Sequence, residues 1–121
     1  MKIKNFWDLE VWQEARALTI ALYNLTRSFP KAEQFGLTAQ MKRASISIMA
    51  NIAEGFGRYH YRDKARFYYQ ARGSLLEIQN FVLVARDLGL IDSDVASQLM
   101  SEGKHIQKVL NGLINAVISR S

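Results

Sequence analysis

The 121-residue chain contains no cysteine, only one proline (Pro30), and no apolar run long enough to span a bilayer. Without cysteine there can be no disulfides and no thiolate metal sites, and a reducing cytoplasm is the expected compartment. The N-terminus, MKIKNFWDLEVWQEA, turns charged and aromatic where a secretory signal needs a plain apolar stretch, so a soluble, unexported protein is expected. No alternating β-branched run bounded by Asn-Gly or Gly-Gly occurs, which leaves strands unsupported. Internal repeats and low-complexity tracts are lacking too.

What is present is enough apolar residue, 49%, to build one core in a domain of this length. A single domain spanning 1–121 is expected. The net charge of +5 is concentrated: residues 42–86 carry eight basic groups against Glu54, Asp63 and Glu77, whereas the flanking segments nearly balance. A localised excess points to an anionic partner, with a merely solubilising face as the alternative.

Helical spacing runs throughout. The first helix is predicted over about 8–29, capped by Asp8, with Trp12, Ala15, Leu18, Leu22, Leu25 and Phe29 on its core face and Pro30 stopping it. KAEQFGL follows as a turn with one short helical loop. The second helix is predicted over 38–56 with Thr38 as cap, and the glycines of GRYHYRD serve the next break. The third covers 62–88 with a core stripe of Phe67, Ala71, Leu75, Ile78, Val82 and Ala85, ended by Gly89. The fourth covers 93–119, capped by Asp92 or Ser93, with Val95, Leu99, Ile106, Val109, Leu113 and Val117 as its seam. Four helices joined by short connections imply an all-α, antiparallel up-down-up-down four-helix bundle.

The second helix is unusual. Met41, Ser45, Ile48, Ile52, Phe56 and Tyr59 share one side, and Ile46, Met49 and Ala53 widen the apolar arc to roughly 200°, against the ≳ 100° stripe a single core requires. A narrow polar seam remains: Gln40, Arg43, Ser47, Asn51, Glu54 and Arg58. Either the arc is divided between this subunit's core and a neighbouring subunit, or the helix is buried all round with its polar groups satisfied internally. An oligomer is the preferred expectation. Ser47, Asn51 and Glu54 then read as buried hydrogen-bonding groups that fix how the helix meets its neighbours. The third helix carries a second apolar group, Ala65, Tyr69, Leu76 and Leu83, and its small Gly73 and Ser74 permit close approach of another helix.

The segment QMKRASISIMANIAEG (40–55) resembles the signature of the four-helix-bundle proteins called 23S rRNA intervening-sequence proteins. Val11-Trp12-Gln13-Glu14-Ala15, the run from Phe29 to Thr38, and Gly73-Ser74-Leu75-Leu76-Glu77 agree with it in order. The likeness covers about residues 6–90. One departure is Met49, where members often have proline, and it should leave the second helix straighter. The resemblance implies a bacterial cytoplasmic protein assembled as a homopentameric ring. A related branch, the accessory variability proteins of diversity-generating retroelements, comprises basic pentamers that bind nucleic acid and a reverse transcriptase. No established activity comes with the intervening-sequence branch.

Catalytic chemistry finds little support. Glu102-Gly103-Lys104-His105 has the Glu-x-x-His spacing of di-iron bundles, but the second copy such a site needs is missing, so a solvent-edge pair and no metal or other cofactor is expected. HEPN-type ribonucleases place a histidine four to six residues after an arginine, and neither His60 nor His105 complies. Ser45 and Ser47 have no base nearby in sequence, and no phosphate-cradling glycine loop occurs. No catalytic residues are assigned.

The segment FGRYHYRDKARFYYQAR interleaves Arg58, Arg62, Lys64, Arg66 and Arg72 with Tyr59, Tyr61, Tyr68 and Tyr69. Arginines pair with phosphates and exposed tyrosines stack on unpaired bases. Alternatively, Phe67 and some tyrosines are core and the arginines pack over them or pair with Asp63 and Glu77. The expectation is a non-enzymatic homo-oligomer binding RNA or other nucleic acid through residues 58–72, aided by Lys42 and Arg43. The alternative function is a protein-interaction scaffold, for example an accessory subunit for a reverse transcriptase. No membrane partner is expected.

Overall fold

The computed structural model describes residues 3–121; Met1 and Lys2 lie outside them. Four helices form: α1 (Glu10–Thr26), α2 (Leu37–Gly57), α3 (Tyr61–Asp87) and α4 (Ser93–Ile118). Two single 3₁₀ turns accompany them, Phe6–Asp8 and Lys31–Glu33, and no strand occurs among the described residues.

The helix ends show which local chemistry acts. Asp8 does not cap α1: its carboxylate accepts the Asn5 N–H at 3.2 Å, which closes the preceding 3₁₀ turn, and the helix starts two residues later. α1 also stops at Thr26, short of the expected Phe29. The residue before a proline is steered out of the helical region, and the chain unwinds over Ser28 and Phe29 while Phe29 still folds back into the core. Thr38 does not cap α2 either. It is buried inside the first turn, and Glu33 Oε1 accepts the Leu37 N–H at 3.3 Å. α3 ends at Asp87, and Gly89 turns the chain away with a φ of +75° that suits glycine, the Leu90 N–H returning to the Ala85 carbonyl at 2.9 Å. Asp92 caps α4, accepting the Val95 N–H at 2.8 Å.

α1 packs on α2 and α4, and α3 packs on α2 and α4, with α2 against α3 the most extensive seam and α1 against α4 the sparsest. One core joins them through Leu18, Leu22, Met41, Ile48, Ile52, Leu75, Ile78 and Leu110, all essentially without solvent contact. The faces follow the predicted periodicity with local rotations. On α1, Val11 is buried while Trp12 and Leu25 are half-buried; on α4, Ala96, Leu110 and Ile114 are buried and Val95 is exposed. On α3 the core position is Tyr68, 1% exposed, and not the neighbouring Phe67. No helix among the described residues is long and apolar enough to cross a membrane.

Candidate nucleic-acid interface

The basic aromatic segment begins at the end of α2, crosses the connection at Arg58, Tyr59 and His60, and from Tyr61 onward divides between two faces of α3. Its inward face locks α3 to α2. Gly55 lies near the end of α2, inside the expected helix, where a Cβ would come 2.6 Å from Tyr68 Cε1 and 3.1 Å from Phe67 Cβ. The helices approach this closely because position 55 has no side chain. Burial pushes the Tyr68 phenol up to about 12. Further along the seam, Ser47 Oγ and Ser74 Oγ share a 2.8 Å hydrogen bond, and Asn51 Nδ2 donates to the Ser47 carbonyl at 2.9 Å. Ser47 and Asn51 thus form the expected polar seam, half-buried and satisfied. Glu54 departs from it: it is exposed and pairs with Arg58 at 3.2 Å. Within the chain Ser74 faces α2, while open space surrounds Gly73.

Most of the candidate cations are held by this framework. Lys64 Nζ donates to the Phe56 carbonyl at 2.6 Å and the Gly55 carbonyl at 3.4 Å, capping the C-terminus of α2. Desolvation draws its amine below the ordinary lysine value, partly opposed by Tyr61. Arg43 Nη2 meets Glu77 Oε2 at 2.7 Å. Arg72 Nη1 donates to Asn111 Oδ1 on α4 at 3.0 Å, with its guanidinium 4.8 Å from the Tyr69 ring centroid. Lys42 Nζ sits 4.9 Å from the Tyr23 centroid, and Arg58 lies 4.6 Å from that of Phe67.

Two cations are different. Arg62 and Arg66 are exposed and make no hydrogen bond or ion pair among the described residues, although Arg66 rests 5.0 Å from the Phe67 centroid. They stand one turn apart on the outer face of α3, and Arg62 lines two adjoining depressions. One, of about 510 Å³, is bordered by Tyr59, Tyr61 and Arg120; the other, of about 500 Å³, by Arg66 and Tyr69. Tyr59 is 89% exposed and Tyr69 43%. The outward strip therefore sets two free guanidiniums between open phenol rings, while Tyr68 is removed from it by burial. Arg120 is an addition that sequence spacing did not identify. It reaches this end of the molecule from the end of α4, its guanidinium 5.9 Å from the Tyr61 centroid.

The second helix has a free face. Ile46 is 48% exposed, and Ala50 and Gly57 also face outward, so it is not buried all round within one chain. Leu76 on α3, 51% exposed, adds to the uncovered apolar surface.

Comparison with known proteins places this architecture. The profile of one family, described as 23S rRNA-intervening sequence protein, matches residues 7–112. A solved crystal structure from Bacteroides thetaiotaomicron, a protein of unknown function from the S23 ribosomal protein family, superposes with a TM-score of 0.80. That likeness covers 87% of this chain and 95% of the other at 19% identity, so it speaks for the fold. Among curated proteins none matches the chain.

Proposed function

The chain belongs to the 23S rRNA-intervening sequence protein family, and from that premise we propose that it is a non-enzymatic, cytoplasmic RNA-binding protein. RNA runs along the outer face of the first turns of α3: Arg62 and Arg66 neutralise phosphates, and Tyr59, Tyr61 and Tyr69 offer faces to unpaired bases. The observation that carries this reading is that these two arginines alone of the seven candidates are exposed and uncommitted to any protein group but an aromatic ring. Holding them free costs mutual repulsion, which an anionic partner relieves.

The four helices run up-down-up-down, and copies assemble through the α2–α3 face, as a pentameric ring in keeping with the family resemblance. Exposed Ile46 and Leu76 and the open space at Gly73 support a neighbour there. Five copies of a two-arginine patch form a multivalent surface whose avidity exceeds that of one chain. The same apolar positions favour a second reading, a scaffold that docks a protein such as a reverse transcriptase without touching nucleic acid.

Gel shifts with large-subunit rRNA fragments across a salt series separate the two readings. Binding that weakens with salt and falls at least about 100-fold in Arg62→Glu/Arg66→Glu, with an unchanged melting temperature, is the expected result. Absent or salt-insensitive binding by the wild type overturns the RNA reading. Light scattering that reports a monomer at micromolar concentration overturns the assembly.

A further inference from the structure

Away from the basic strip, at the opposite seam of the fold, α1 and α4 bring three ligand-type side chains together. Glu10 and Glu14 lie one turn apart on α1, and His105 stands on α4. Their donor atoms all fall within 4.8 Å of one another: His105 Nε2 is 2.7 Å from Glu14 Oε1 and 3.9 Å from Glu10 Oε1. A depression of about 350 Å³ opens beside them, lined among others by Ser101 and Glu102.

We propose that Glu10, Glu14 and His105 form a binding site for a first-row divalent cation of the zinc class, which ties α1 to α4 within one chain. A simple His–Glu hydrogen bond explains only part of the arrangement. It uses Glu14 Oε1, leaves Glu10 at 3.9 Å from the imidazole, beyond hydrogen-bond distance, and leaves Glu14 Oε2 buried with no partner. A buried carboxylate oxygen without a partner is costly, and coordination to a cation removes that cost. One neutral imidazole and two carboxylates carry a charge of −2, which a divalent ion balances. Tetrahedral ligands at about 2.0–2.2 Å from one ion lie about 3.3–3.6 Å apart; the present donors lie within 4.8 Å of one another, so side-chain rotations suffice. The imidazole nitrogen selects zinc-like ions over magnesium, which prefers all-oxygen shells. Glu102, one turn before His105 on α4 and lining the same depression, is within the site's reach as a further oxygen donor. Since α1 against α4 is the sparsest seam, a cross-link there stabilises where packing is least.

The test is titration of the chelator-washed full-length protein with zinc chloride, followed by calorimetry and thermal melts, and with cobalt chloride followed by visible absorption. One saturable zinc per chain, a melting temperature raised by about 5 °C or more at saturation, and a cobalt spectrum showing nitrogen and oxygen ligands are expected. His105→Ala and Glu10→Gln should each weaken binding at least about tenfold, whereas His60→Ala binds as the wild type does. These positions are half or more exposed at His105 and Glu10, so the fold tolerates the changes, and metal-free melts verify it. No saturable zinc in the wild type overturns the proposal. So does wild-type affinity in both His105→Ala and Glu10→Gln, or stabilisation by magnesium equal to that by zinc.

Discussion

The inward and outward faces of the first half of α3 come from one run of sequence, yet they obey different physics. Inward, Lys64, Ala65, Tyr68 and Ala71 are committed: a lysine caps another helix, and a buried phenol fills the space left by Gly55. Outward, Arg62, Arg66 and Tyr69 have solvent on one side and few obligations. A basic aromatic composition therefore says little about binding by itself. What distinguishes a candidate ligand contact from a structural cation is whether the protein already supplies its partner.

The largest expected effect breaks the inward face. Gly55→Val should cost about 3 kcal/mol in chemical denaturation, because its Cβ collides with Tyr68 and no flexible chain end can yield. A neutral result would mean the seam is loose and the two faces less distinct than described.

The next effect is a matter of pH. Tyr68 stays protonated in the folded chain up to about 12, while the unfolded chain releases that proton near 10. The unfolded state thus binds fewer protons in that window, and stability falls as pH rises through it, by at most about 3 kcal/mol. Lys64 acts with the opposite sign: its lowered folded-state value makes stability rise with pH below the ordinary lysine range. Denaturation of Tyr68→Phe beside the wild type isolates the first contribution. The alkaline loss should vanish in Tyr68→Phe and persist in Tyr69→Phe.

A smaller change, Lys64→Met, keeps the aliphatic stem and removes the donor to the Phe56 carbonyl. About 1 kcal/mol of stability should be lost, with RNA affinity changing little. Smallest of all, Arg62→Ala and Arg66→Ala should each alter stability by less than about 0.5 kcal/mol in thermal melts, as exposed side chains without partners do.

The four helices and their connections were legible because periodicity and Gly89, Asp92 and Pro30 are local signals. Cap identity was less so. Thr38 has the right chemistry for a cap, but Glu33 reaches the helix start first, through a 3₁₀ turn that spacing does not reveal. Choosing between Phe67 and Tyr68 as the core residue depends on Gly55, which the chain brings opposite only after folding. The roles of Arg72 and Arg120 rest likewise on partners in α4 and α3, far along the sequence. Glu54 has the right residue type for the polar seam, but its position on α2 turns it outward to Arg58.

The most direct measurement is the dependence of the RNA association constant on salt in two variants of matched charge loss. For single strands, each phosphate contact adds about 0.7 to the slope of log K against log salt. Arg62→Ala/Arg66→Ala should flatten that slope by at least about 1, whereas Arg43→Ala/Arg72→Ala, which removes two cations already held by Glu77 and Asn111, should leave it nearly unchanged. Equal flattening in both double variants, or none in the first, would contradict the division of α3 into a structural and a binding face.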